Sequence, residues 1–144
     1  MSLSPTDPNF GRTLSRLWLF AILNMLFRDI HELTMAHNLE EILGGHVNGT
    51  FMTEGVLLFG AVAVELLLLG FLLSALLAPK AARWLKLVLA PLAIAGTTLG
   101  VPNDPDDYFF AAVVVMTFAA IFVLAWRWAP KEDAAWIVGG HHAV

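Results

Sequence analysis

Four long apolar runs, separated by short polar stretches, divide the chain. At about 1.5 Å of rise per residue, a helix crosses a hydrocarbon core of about 30 Å with roughly 20 residues. The pattern predicts spans at about residues 14–35, 55–78, 84–101 and 108–128. The second, Gly55 to Ala78, is interrupted only by Glu65 and Ser74. The third contains Pro91 and is short, which predicts a kink or an imperfect span. The first is apolar through LWLFAILNMLF and then turns polar at RDIHELTM. The expected fold is all-α, a four-pass transmembrane bundle over residues 14–128 with tails at 1–13 and 129–144.

Composition narrows the class. Of 144 residues, 58% are hydrophobic and 14% charged, and mean hydropathy is +0.74. Soluble domains run at roughly 45–50% apolar and about 25% charged, so a soluble globule and a disordered chain are both excluded. Eight Lys and Arg against twelve Asp and Glu exclude a basic nucleic-acid binder. The absence of Cys removes disulfides, thiolate metal sites and Cys nucleophiles. A cleaved signal peptide fails because Arg28, Asp29, His31 and Glu32 interrupt the region that should be apolar.

The basic residues set an orientation. Arg12 and Arg16 precede the first span, Lys80, Arg83 and Lys86 lie between the second and third, and Arg127 and Lys131 follow the fourth. The other two connections contain no Lys or Arg, so the positive-inside rule predicts an N-in, C-in protein of the cell (inner or plasma) membrane, with cytoplasmic tails. Trp18, Trp84, Trp126 and Trp128 fall near inner ends and Tyr108 near an outer end, as an aromatic belt would.

The outer connections carry helix signals. Asn38 with Glu41 three residues on, followed by Gly44-Gly45, predicts a short helical turn over Leu39 to Leu43. Asp104 is a candidate N-cap, Pro105 stands at the first helical position, and Asp106 and Asp107 fall in the first turn, where the helix dipole favours them. Asn48-Gly49-Thr50 fits a glycosylation sequon.

Charges at bilayer depth cost roughly 2.5–3.5 kcal/mol each and therefore face a bundle interior. Glu65 stands near the middle of the second span, and Glu54 lies about 20° from it in azimuth, at the outer rim. On the first helix Asn24, Arg28 and Glu32 follow one another at i, i+4, i+8, with His31 close to that face and Asp29 about 100° away. Successive helices joined by an outer loop pack antiparallel, so an Arg28–Glu65 ion pair is expected, with His31, Glu32 and Glu54 above it. Gly96 and Gly100 form a G-x-x-x-G that permits close helix approach. His31 and His37 lack the spacing of a metal pair, and no Walker or G-x-S-x-G motif occurs, so neither metal nor cofactor is expected.

The run L-W-L-F-A-I-L-N-M-L-F-R-D-I-H-E, the G-x-x-N-G-T-F-M-T-E-G before the second span and the N-D-P-D-D-Y-F-F opening the fourth resemble an uncharacterised family of small four-helix bacterial membrane proteins, over residues 14 to 128. The resemblance implies four passes and no particular activity. Size and helix count are distantly similar to the DoxX-like four-helix group.

Three functions fit these residues. The favoured one is binding or passage of a small ion, proton or polar molecule at a Glu65–Arg28 centre open to the outer face. The second is a non-catalytic assembly or accessory subunit in which the same residues are interhelical glue. The third is an intramembrane enzyme acting on a lipid or isoprenoid. Membrane lipids and a second copy of the chain are the expected partners.

Overall fold

A computed structural model describes residues 9–47, 49–99 and 104–129. The expectations for the remaining tail residues, for Asn48 in the sequon and for Gly100 lie outside them.

The described residues form α1 Phe10–Leu33, α2 Ala36–Leu43, α3 Glu54–Leu76, α4 Pro79–Leu99 and α5 Pro105–Arg127. A two-residue antiparallel pair, β1 His46–Val47 with β2 Thr50–Phe51, is the remaining regular structure. The fold is all-helical, and α3, α4 and α5 are long and apolar enough to cross a membrane. The helix α1, which carries Arg12, Arg16, Arg28, Asp29 and Glu32, is not among those three.

Local chemistry sets the helix ends. The Thr53 hydroxyl accepts from the Val56 amide at 3.3 Å, which caps α3, and Glu54 follows in its first turn. Asp104 stands at the N-cap of α5 with Pro105 behind it, as expected, although its side chain makes no cap bond. The helix α4 continues through Pro91. The expected turn at Leu39 to Leu43 begins three residues earlier, at Ala36, with Met35 as N-cap. The amides of Thr34 and Met35 donate to the His31 and Glu32 carbonyls, so the chain turns directly out of α1 into α2. Asn38 is thereby inside the helix, where its amide donates to the Glu32 carbonyl at 3.3 Å. Gly44 caps α2 as expected, and Gly45 takes φ 78, the left-handed region that favours glycine.

The helices α1 and α5 run antiparallel, with their apolar stripes facing each other. Phe10, Leu14, Trp18 and Ala21 meet Val114, Phe118, Ile121 and Ala125, all buried. Phe10 stacks on Trp128 at 6.2 Å, and Trp18 meets Phe118 edge-on at 5.2 Å. The small residues Ala82, Ala90 and Ala93 let α4 lie close to this pair. The Arg83 guanidinium donates to the last-turn carbonyls of α5, Ala125 at 3.0 Å and Trp126 at 2.9 Å. Carbonyls of a last turn lack the regular helical partner; that of Ala125 otherwise accepts only a long bond of 3.3 Å from the Trp128 amide.

The helix α3 is held differently. Its one buried residue is Gly70, where an added Cβ would lie 2.5 Å from Leu89 Cδ1 and 3.2 Å from Trp18. The Trp18 indole donates to the Leu67 carbonyl at 3.0 Å, and Ser15 and Ser74 meet at 3.4 Å. From Glu54 to Leu66 no residue of α3 is buried. The bundle therefore has a closed basic half, near Arg12, Arg16, Arg83 and Arg127, and an open acidic half, near Glu32, Asp106 and Asp107.

Two expectations about placement need correction. Trp18 is a core residue at 1% exposure, fixed by its hydrogen bond to α3, whereas Trp84, Trp126 and Tyr108 are exposed as belt residues are. Trp128 is likewise buried, under Phe10. Lys86 lies in α4 rather than in a connection, at 1% exposure, on the face that buries Ala82 and Ala90.

Candidate functional site

The α1 core stripe does not end at Ala21. Continuing at helical spacing, it reaches Met25, Arg28 and Glu32, so the charged residues occupy the face that packs on α5. The α5 stripe likewise extends back from Val114 to Asp107, 5% exposed in the first turn of its helix. The two stripes meet in ion pairs. Arg28 Nε lies 2.9 Å from Asp107 Oδ1, and Arg28 Nη2 lies 2.9 Å from Glu32 Oε1. One turn further, His31 Nε2 lies 3.0 Å from Asp106 Oδ2. A guanidinium with two carboxylate partners at this spacing satisfies charges that would otherwise be costly in a water-poor setting.

The Arg28–Glu65 pair is therefore replaced. Arg28 is taken by Asp107 and Glu32, while Glu65 is exposed and makes no hydrogen bond or ion pair among the described residues. The reason is azimuthal. The helix α1 turns its stripe to α5, and it meets α3 around Leu67 to Ser74, where Gly70 faces inward. Glu65 is five residues before Gly70, about 140° around the helix, so its carboxyl points away from the bundle.

Of the expected site residues, Arg28, Glu32 and His31 come together. Glu54 is exposed at the start of α3, and the Asn24 amide donates to its own helix at the Phe20 carbonyl, 3.0 Å away. The residues missed were Asp106 and Asp107, read from the sequence as helix-dipole acids. Their signal was present: Asp107 precedes Val114, Phe118 and Ile121 by seven, eleven and fourteen residues, which places it on the buried face.

Below the ion pairs, where α3 leans away from the other helices, lies a cleft of about 670 Å³. Its walls include Met25 of α1, Ala63 and Leu67 of α3, Ala93 and Gly96 of α4 and Val114 of α5, while Arg28 and Asp29 supply its charged margin. Phe59, Leu66 and Leu92, which also line it, are exposed, so the cleft opens sideways between α3 and α4. A smaller pocket of about 260 Å³ adjoins it, bordered by Glu32, Asn38, Glu41 and Val47. Asp29 borders both and forms no hydrogen bond or ion pair among the described residues. Cavities of this size and apolar lining, with a few polar groups at one end, are the usual form of small-molecule sites. Among the described residues no group of three or more His, Asp and Glu has the placement to hold a metal ion.

A family model described as "Family of unknown function (DUF6326)" matches residues 1–135. No curated protein and no solved structure matches the chain.

Proposed function

The chain belongs to the DUF6326 family, and from that premise we propose that it is a four-pass, N-in and C-in membrane protein that binds an amphiphile in the cleft of its acidic half. The hydrocarbon part lies against Ala63, Leu67, Ala93 and Gly96, and the polar end reaches Arg28 and Asp29. The observation that carries this reading is the cleft itself, about 670 Å³ of mainly apolar wall with charge at one end only. A site for a bare ion or proton would need polar groups along its depth, whereas away from Arg28 and Asp29 the side-chain polar group in the lining is the Thr97 hydroxyl, which donates to the Ala93 carbonyl at 2.8 Å. Supporting the fourth pass, α1 is about 36 Å long at helical rise and packs along the spanning helix α5 from Phe10 to His31. Supporting the orientation, Arg12, Arg16, Arg83 and Arg127 gather at one end of the bundle.

The test uses Gly96, where an added Cβ meets nothing within 4 Å. Gly96→Leu should fill the cleft, lower dodecanol binding by the nanodisc-embedded protein, measured against empty discs, at least tenfold, and leave thermal unfolding no lower than in the wild type. Equal dodecanol binding by wild type and variant removes the reading.

Glu65 supports a second role, assembly. A carboxyl facing lipid at mid-span is costly, by roughly 2.5–3.5 kcal/mol on insertion scales, and a neighbouring protein chain would relieve that cost. Because the chain has no Cys, Ala61→Cys, beside Glu65, is a clean probe: oxidative cross-linking into a dimer in membranes supports assembly through this face, and a monomer throughout removes it.

A further inference from the structure

We propose that the amphiphile bound by the cleft carries a cationic, amine-type head, and that Asp29 is the residue that selects it. The inference rests on the amphiphile reading above and adds the charge of the ligand.

The cleft has two charged groups at its margin, and they are not equally free. The Arg28 guanidinium is engaged on two sides, by Asp107 and Glu32, each at 2.9 Å. Asp29 is engaged by neither a hydrogen bond nor an ion pair among the described residues, and it lies where the large cleft meets the smaller pocket. A ligand that enters the apolar cleft and extends toward the acidic end therefore meets a carboxylate with no hydrogen bond or salt bridge to give up.

The adjoining pocket repeats the sign. Its polar border is Asp29, Glu32, Asn38 and Glu41, with no Lys or Arg. The carboxylates that line the two spaces are Asp29, Glu32 and Glu41, against the single guanidinium of Arg28, which Asp107 also engages from outside the lining. An anionic head would meet this excess of negative charge and find the one guanidinium occupied, whereas an ammonium head replaces its lost hydration with Asp29 and the Asn38 carbonyl oxygen. The hydrocarbon and the head thus have separate, contiguous places. The pocket of about 260 Å³ has room for a head larger than a bare ammonium.

Three probes with the same chain separate head from tail: dodecylammonium, dodecanol and dodecyl sulfate, each measured on the full chain in nanodiscs against empty discs. Wild type should bind dodecylammonium at least tenfold tighter than dodecanol, and dodecyl sulfate weakest. Asp29→Asn, at an exposed position that makes no hydrogen bond or ion pair among the described residues, should bring dodecylammonium down to the dodecanol value and leave dodecanol unchanged; Glu41→Gln should give a smaller loss. If dodecanol binds and dodecylammonium gains nothing over it, or if Asp29→Asn leaves the gain intact, the head assignment is overturned while the amphiphile reading stands. If none of the three binds, or if Gly96→Leu leaves all three unchanged, the amphiphile reading itself has failed. Lysophosphatidylethanolamine identifies the source: competition with dodecylammonium supports an amine head borne by a membrane lipid, and absence of competition supports a free amphiphilic amine.

Discussion

The basic and acidic halves of the bundle are built by the same helices, yet one is closed and the other open. In the basic half, Trp18 reaches across to Phe118 and to the Leu67 carbonyl, and Gly70 lets α3 and α4 come into contact. In the acidic half the corresponding layer holds Arg28, Glu32 and Asp107, and α3 stands apart. The difference teaches how a small bundle can be both stable and hollow. Lipid gives helices little hydrophobic reason to associate, so close van der Waals packing and interhelical polar contacts must hold them. Concentrating that packing at one end leaves the other free to open, provided α1 and α5 remain clamped there by ion pairs.

Substitutions can break this contrast, the strongest first. Trp18→Ala removes the largest fully buried side chain among the described residues and its hydrogen bond to α3; a loss of about 3–5 kcal/mol is expected in thermal or denaturant unfolding. Arg28→Met leaves Asp107 buried without its cation and should cost about 3–5 kcal/mol, most of it regained in the double variant Arg28→Met, Asp107→Leu. A double variant as unstable as the single would show that the clamp is not electrostatic. Gly70→Ala forces Leu89 and Trp18 aside and should cost about 1–3 kcal/mol, whereas Gly96→Ala, in open space beside the cleft, should gain about 0.5–1 kcal/mol from helix propensity. Equal effects at the two glycines would erase the distinction between halves. His31→Gln removes a half-exposed pair and should change stability by about 0.2–1 kcal/mol in the same measurement.

Much of the fold was legible because hydropathy and caps are local properties. The ends of α1, α3 and α5 lie within four residues of those expected, and Gly44 and the Asp104-Pro105 pair stop and start helices where the pattern places them. The stripe of Arg28, His31 and Glu32 was also visible as a face of one helix. Its partner was not, because periodicity fixes which residues share a face but not which neighbouring helix that face meets. Chain order favoured α3; the fit of Trp18 against Phe118 and of Phe10 against Trp128 brought α5 instead. Lys86 was misjudged for a related reason: adjacency to Lys80 and Arg83 in sequence says nothing of the turn of α4 that carries it inward. The cleft left no mark in the sequence, since it arises from where α3 diverges.

Arg83 binds these helices in a further sense. By supplying donors to Ala125 and Trp126, α4 completes the end of α5 with a side chain rather than with water or lipid headgroups. The two helices are consecutive in the chain. The clasp joins the start of α4 to the end of α5, so it closes the hairpin of these two helices at the end opposite their connection.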